Sequence, residues 1–322
     1  MKPLISEKNM KILITGGAGY IGNILTDHLL QNGFNVTVYD NLIHKHGGIL
    51  ENCRNKKFTF IYGDVRDENT YREVINKHDI IVNLAGYVGV PICKRFPIET
   101  VQVNRTSAEF LSKTISKHQI VIFSSTNSVY GTGKDDKSEF CDEETPITNT
   151  ISLYAKTKAE GESALMQTGN TIAFRFATVF GTSRKMRTDL LVNDFVWRAW
   201  NDRFIVLFES HFKRNSIHIQ DVAHAIYFAI INHKVMKGNI YNAGNSEINI
   251  SKLELCHAIK KQVPDFFITE SEINKDPDQR NYIVLNKKLE TLGWKCTYSL
   301  DDGIRELLMA CPIIKNTNII NI

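Results

Sequence analysis

The sequence predicts an α/β fold built on a doubly wound parallel sheet. Five short β-rich runs stand in the first half, and each is a nearly continuous apolar stretch. Helix-length segments separate them, as parallel strands covered on both faces require. Glycines cluster directly after the first run, where a strand turns sharply into a helix.

Taken in order, KILITG (11–16) is the first strand, and IGNILTDHLLQNG carries the first helix. FNVTVYD (34–40) is the second strand, KFTFIYGD (57–64) the third and DIIVNLAG (79–86) the fourth, with helical stretches at 67–78 and about 96–118. IVIFSS (120–125) supplies the fifth strand. From about residue 185 the pattern loosens into an amphipathic DLLVNDFVWRAW, a strand-like FIVLF, a helical HIQDVAHAIYFAI and a Lys- and Asn-rich tail. Residues 10–185 are therefore expected to form mainly the parallel-sheet part and 186–322 mainly a smaller C-terminal part, with the chain interleaved between them.

The 322 residues are 43% hydrophobic, enough for a sizeable core. A formal charge of +4 is spread along the chain without a basic block, which argues against a nucleic-acid partner and fits an anionic small molecule. No run approaches the roughly 20 apolar residues a membrane helix needs, and the opening MKPLISEKNM lacks the apolar core of a signal peptide. A cytoplasmic location is expected. Six widely spaced cysteines, with no CxxC pair, read as free thiols, and no metal site is expected.

Gly16, Gly19 and Gly22 in TGGAGYIG lie between strand and helix, together with Tyr20 and Ile21. Backbone N–H groups and the positive end of the helix can cradle a pyrophosphate there. Asp40 ends the second strand 18 residues after Gly22, close to the spacing at which a carboxylate holds an adenosine ribose, and Asn41 follows it. This is the Rossmann arrangement for a dinucleotide. Asp40 would repel a 2′-phosphate, so NAD is favoured over NADP, although His44 and Lys45 lie just downstream.

Tyr154 and Lys158, in ISLYAKTKAEGESAL, fall on one face of a helix. A free tyrosine is only about 0.1% ionised at neutral pH and needs a nearby cation to act as a base. Thr126, at the end of FSSTNSVYG, can reach the same substrate oxygen.

From residue 10 to 310 the sequence resembles the extended short-chain dehydrogenases/reductases, in particular the NAD-dependent nucleotide-sugar epimerase/dehydratase group. The resemblance is carried by TGGAGYIG, Asp40, GDVRD at Asp64, NLAG at 83–86, Asn104, SSTNSVYG, Tyr154 with Lys158, and RNSIHIQDVAHA (214–225). It implies that Tyr154 is the base, Thr126 its helper and Lys158 its electrostatic support. It also implies that Asp64 and Val65 meet the adenine, and that Leu84, Ala85, Gly86 and Asn104 line the cofactor. On the same basis Thr126, Asn127, Thr178, Asn193, Arg214 and Arg280 face the substrate, with Arg214 as the diphosphate-binding arginine. The implied fold is a Rossmann sheet with a smaller C-terminal substrate-binding part, and the implied assembly is a homodimer through the helices near 96–118 and 152–168.

The sequence departs from some members of that group. The dehydratases place an Asp-Glu pair after the catalytic Thr, where this chain has Asn127 and Ser128, so dehydration is disfavoured. C4-epimerases usually carry Asn where FRFATVFG has Thr178. RFATVFGTSRKMRTDLLVNDFV and KDPDQRNYIVLNKKLETLGW resemble a subgroup from surface-polysaccharide clusters that includes oxidation of GDP-manno-heptose at C4. The expected reaction is oxidation at C4 of a nucleotide-diphosphate sugar, giving a 4-keto sugar or its C4 epimer. A reductase of another alcohol or ketone and a non-catalytic dinucleotide sensor are the alternatives.

Overall fold

A computed structural model describes residues 9–45, 47–134, 139–147, 150–273 and 280–317. In chain order the elements begin β1 (Lys11–Thr15), α1 (Tyr20–Gln31), β2 (Asn35–Asp40), β3 (Phe58–Tyr62), α2 (Glu68–Ile75) and β4 (Ile80–Asn83). They continue with α3 (Val90–Arg95), α4 (Pro97–Val101), a π-helical turn (Gln102–Thr106), α5 (Ser107–Thr114), β5 (Ile120–Thr126), β6 (Phe140–Cys141), α6 (Leu153–Met166), β7 (Thr171–Phe176) and β8 (Thr178–Phe180). The remainder is α7 (Leu191–Asn201), β9 (Phe204–Leu207), β10 (Lys213–His218), α8 (Ile219–Ile231), α9 (His233–Met236), β11 (Asn239–Ala243), β12 (Asn249–Ser251), α10 (Lys252–Gln262), β13 (Phe267–Glu270), β14 (Ile283–Val284), α11 (Lys287–Glu290) and α12 (Leu300–Lys315).

The chain divides into two compact units that exchange segments. The first takes residues up to Val129, Ser152–Arg175 and Ala223–Tyr241; the second takes Tyr130–Ile151, Phe176–Val222 and the chain from Asn242 onward. The principal sheet has seven strands in the order β3-β2-β1-β4-β5-β7-β11. β1 pairs in parallel with both β2 and β4, and β4 pairs in parallel with β5. The chain therefore works outward from β1 through β2 to β3, then returns to the other side of β1 with β4. That reversal opens a crevice at the carboxyl ends of β1 and β4, the position at which doubly wound sheets bind ligands.

Burial explains the continuous apolar strands. All four residues of β4 and all six of β7 are buried, as are four of the five in β1. Each fully buried Val, Leu or Ile contributes roughly 1.5–3 kcal/mol. Leu13, Ile81, Val121 and Ala173 bring successive strands into one core with Tyr71, Val74, Phe110, Leu111 and Leu165 from α2, α5 and α6. Asp67 caps α2 by accepting from the N–H groups of Asn69 and Thr70, and Ser152 caps α6 through Ala155 N–H.

The structure gives detail to two stretches that the sequence left coarse. The stretch at about 96–118 is a succession of α4, the π-turn and α5, and α3 precedes it; Pro91 and Pro97 each open a new helix, with Phe96 outside helical geometry between them. The polar tail folds into α10, α11 and α12. Its start signals are the capping boxes Ser251/Glu254 and Ser299/Asp302.

In the second unit β8 and β12 flank β10, β9 pairs with β13, and β6 pairs with β14. His218, fully buried, is 3.0 Å from Glu306 on α12. Asp221 accepts from Thr297 N–H at 2.9 Å, its hydroxyl at 2.7 Å and Tyr298 N–H at 3.1 Å. Two buried polar groups thus fasten the C-terminal segment to the β10–α8 region.

Candidate active site

The register of the parallel strands sets the site in the first unit. Thr15 stands beside Tyr39 and Asn83, and Asn83 beside Phe123. The residues that follow β1, β4 and β5 therefore emerge along one edge of the sheet: Gly16, then Leu84 to Gly86, then the Thr126 region.

Gly16 has φ +71°, and a Cβ there would lie 2.7 Å from the amide N of Ala85. Only glycine permits this approach of backbone to backbone. A Cβ on Gly22 would meet Gly16 O at 2.5 Å, and one on Gly19 would meet it at 3.1 Å. Asn23 holds the turn from inside, donating through Nδ2 to Ala18 O at 2.8 Å and Gly19 O at 2.9 Å. α1 starts at Gly19 with no side-chain cap and no acidic residue in its first turn. Tyr20 is buried and Ile21 half-buried in that turn. A helix end of this kind favours an anion.

Asp40 is held at the end of β2 by Ala18 N–H (3.0 Å) and Leu42 N–H (2.8 Å) on its two carboxylate oxygens. Burial pushes its pKa up against these two bonds. Asp64 accepts from Asn41 Nδ2 at 2.9 Å and from Arg66 Nε at 2.9 Å and Nη2 at 2.7 Å. The Arg66 hydrogen bond is the largest influence holding its carboxyl down at about 2. Val65 turns its side chain into the core.

The segment after β4 is tied down on both sides. Ala85 N–H donates to Thr15 Oγ1 at 3.3 Å, and Leu84 N–H to Thr15 O at 3.1 Å. Asn104 lies in the π-turn and is buried; its Oδ1 accepts from Tyr87 N–H at 2.9 Å and its Nδ2 donates to Tyr87 O at 2.9 Å and Thr157 Oγ1 at 3.4 Å. Its amide is thus occupied in joining the NLAG segment to α6.

Tyr154 and Lys158 follow the capped start of α6 one turn apart, with Tyr154 half-buried and Lys158 4% exposed. Lys158 Nζ sits 4.3 Å over the Phe123 ring of β5. Burial, against the opposing charge of Glu162, brings its pKa down to about 8, so it stays mostly protonated at neutral pH. Glu162, one turn further, makes a buried ion pair with Arg175 of β7 at 2.7 Å. The four-residue spacing places Glu162 on the same face of α6 as Tyr154 and Lys158, but its pairing with Arg175 depends on α6 lying on β7.

Thr126 ends β5, and its hydroxyl donates to Ser128 Oγ at 3.1 Å while accepting from Ser128 N–H. Asn127 is 1% exposed, and neither of its amide atoms has a partner among the described residues. An amide buried in this way is costly unless something else takes its hydrogen bonds.

In the second unit Thr178 opens β8 opposite Ser216 of β10. Asn193 accepts from Gly181 N–H at 3.1 Å and donates to Arg187 O at 2.8 Å. Arg214 is buried with its guanidinium 5.5 Å over the Tyr282 ring and Nη1 donating to Lys213 O at 3.0 Å. Arg280 precedes Asn281, whose Oδ1 accepts from Lys213 N–H at 2.9 Å. The backbone segments of the two arginines therefore meet at Lys213.

The glycine turn, the uncapped start of α1 and the Asp40 carboxylate fit a dinucleotide: a Cβ would fill the cradle at Gly16, and Asp40 keeps lone pairs for ribose hydroxyls. Comparison with known proteins agrees. The CDP-paratose 2-epimerase of Salmonella typhi is 26% identical over 92% of this chain and 98% of its own. A UDP-glucuronic acid 4-epimerase from Bacillus cereus, solved with UDP-glucuronic acid and NAD, is 25% identical with a TM-score of 0.82, covering 95% of this chain and all of that one. The dTDP-glucose 4,6-dehydratase of Bacillus anthracis, in complex with NAD, superposes with a TM-score of 0.80 at 21% identity over 96% of this chain and 98% of that one, a likeness of fold. Residues 12–244 match the family described as NAD dependent epimerase/dehydratase. The chain belongs to that family and is an NAD-dependent enzyme of the extended short-chain dehydrogenase/reductase type.

Proposed function

We propose that this enzyme oxidises C4 of a nucleotide-diphosphate sugar and yields a 4-keto sugar or its C4 epimer. The observation that carries the reading is Lys158: a buried ammonium on the same helix as Tyr154, lying over the Phe123 ring of β5, the strand that ends at Thr126. In this scheme the Tyr154 phenolate takes the proton from the sugar's C4 hydroxyl and becomes the neutral phenol. Lys158 stabilises the tyrosinate through its charge, and Thr126 holds the same sugar oxygen by a hydrogen bond. NAD, when bound, accepts the hydride from that carbon. Gly16, Gly19 and Gly22 with Tyr20 and Ile21 would hold its pyrophosphate, Asp40 and Asn41 its adenosine ribose, Asp64 and Val65 its adenine, and Leu84 to Gly86 its inner face.

The second unit is assigned to the nucleotide sugar, with Arg214 and Arg280 on the diphosphate and Thr178 and Asn193 beside it. Asn127 offers a sugar hydroxyl one donor and one acceptor but no acid. Elimination of water needs both an acid and a base beyond Tyr154, so Asn127 and Ser128 favour reaction without dehydration. We further assign the protein to the cytoplasm; among the described residues no helix is long and apolar enough to cross a membrane. It acts as a homodimer through the helices near 96–118 and 152–168, in synthesis of surface-polysaccharide sugars, with a GDP-linked heptose as the narrower candidate substrate.

The test is incubation of the purified protein with CDP-, GDP-, UDP- and dTDP-linked sugars, with products identified by mass spectrometry and NMR. A 4-keto sugar or a C4 epimer from one nucleotide series is the expected result. Protein that carries NAD and converts none of them contradicts the reading.

A further inference from the structure

The loop after β8 carries a cation that the described residues of its unit leave without a counter-charge. Asn193 accepts from Gly181 N–H and donates to Arg187 O, so a single amide ties both ends of the loop to the first turn of α7. Thr182 adds a further tie, its N–H and hydroxyl both donating to Glu306. Between these anchors Lys185 is only 3% exposed. Its backbone N–H donates to Ser183 Oγ at 3.4 Å. No carboxylate, carbonyl or hydroxyl among the described residues accepts from its ammonium. The charge that acts on it most closely is Arg187, of the same sign, whose guanidinium is committed to Asp189.

Burial and Arg187 both lower the pKa of Lys185. A lysine with little exposed surface, no protein acceptor for its ammonium and a like charge beside it is costly in the unliganded protein. Such an arrangement is tolerable where an incoming anion supplies the missing charge. Lysine serves oxyanions as a point charge and needs no bidentate geometry to do so.

We propose that Lys185 is an oxyanion ligand of the substrate site, taking a phosphate oxygen of the nucleotide-linked sugar or a carboxylate on the sugar itself. The assignment rests on the nucleotide-sugar reading above. It adds a residue that neither the glycine turn nor the Tyr154/Lys158 pair could identify.

The test is isothermal titration of the NAD-loaded wild type, Lys185→Met and Lys185→Arg with UDP, GDP, CDP and dTDP, and with UDP-glucose and UDP-glucuronic acid. Lys185→Met is expected to keep its NAD and to melt no lower than wild type, while its affinity for the ligand that meets Lys185 falls at least about ten-fold. Lys185→Arg should recover most of that loss. Weaker binding of nucleoside diphosphates assigns Lys185 to the diphosphate; weaker binding confined to UDP-glucuronic acid assigns it to a carboxylate. Should Lys185→Met not fold, Lys185→Gln provides the same comparison. Equal affinity of the variants and wild type for every ligand overturns the assignment and leaves the nucleotide-sugar reading intact, whereas a wild type that binds none of the ligands overturns both.

Discussion

Lys158 stands with its ammonium 4.3 Å over the Phe123 ring, a cation on an aromatic face inside the protein. The contact softens the cost of burial without removing it, since the Lys158 pKa still lies near 8 rather than at its usual 10.5. Unfolding returns the group to the higher value, so between about pH 8 and 10.5 the unfolded chain binds more protons. Stability attributable to Lys158 is therefore poorest below pH 8 and recovers as pH rises through that window. Lys158→Met should abolish turnover, weaken NAD binding and yet raise the melting temperature at pH 7. A lower melting temperature would show that the charge stabilises the fold.

Glu162 and Arg175 make the opposite case, a buried pair in which each partner satisfies the other. Glu162→Gln takes the carboxylate charge away from the buried Arg175 and should cost about 3–5 kcal/mol, measured by urea denaturation. Replacing both with apolar residues of similar size should cost much less. Equal losses in the single and double variants would refute the pairing.

Gly16 faces the backbone of Ala85 at a positive φ. Gly16→Ala brings both strain and a backbone clash, which should cost roughly 1–3 kcal/mol or more. The purified variant should lose its NAD. Retention of full NAD content, read by mass spectrometry of released ligands, would show that the turn is not the cofactor cradle.

Asp40 accepts from two backbone N–H groups. In Asp40→Asn the amide nitrogen would confront one of those donors. The turn should loosen and NAD affinity fall by about ten-fold or more, the scale of one charge-assisted hydrogen bond. Unchanged NAD affinity in a titration would move the ribose contact elsewhere.

His28 sits on α1 with its ring 5.0 Å from Tyr227 and 6.2 Å from His224 on α8. Burial first, and His224 second, lower its pKa. A histidine lowered in the folded state binds its proton more readily when unfolded, so stability should fall as pH drops below about 6.5. His28→Gln should flatten that decline in denaturation midpoints between pH 7 and pH 5; an unaltered decline would assign it to other groups.

Much of the sheet was legible because buried parallel strands must be apolar on both faces, and KILIT, IIVN and IVIF state that without ambiguity. The glycine turn was legible because its constraint is local: Gly16, Gly19 and Gly22 are needed within one turn of chain. The one-turn spacing of Tyr154 and Lys158 on α6 was legible for the same reason. Other features depend on which elements come together in space. Glu162 meets Arg175 only when α6 lies on β7, and nothing in the sequence separates a buried Lys185 from a solvated one. Asn104, an expected cofactor residue, stands on a π-turn that helical periodicity does not reveal, and its bonds to Tyr87 and Thr157 were not legible either. The capping boxes at Ser251 and Ser299 were written in the tail, where lysines and asparagines obscured the helices behind them.

The central claim is hydride removal from C4 of a nucleotide sugar, and the most direct measurement follows deuterium placed at that carbon. The sugar that turns over is supplied with the label, the reaction is quenched during turnover, and coenzyme, product and water are analysed separately. Deuterium in the reduced coenzyme, with an undeuterated C4 in the accompanying keto sugar, is the expected result. Product formed while the coenzyme never carries the label, or with deuterium released to water, would contradict C4 oxidation and with it the roles given to Tyr154, Thr126 and Lys158.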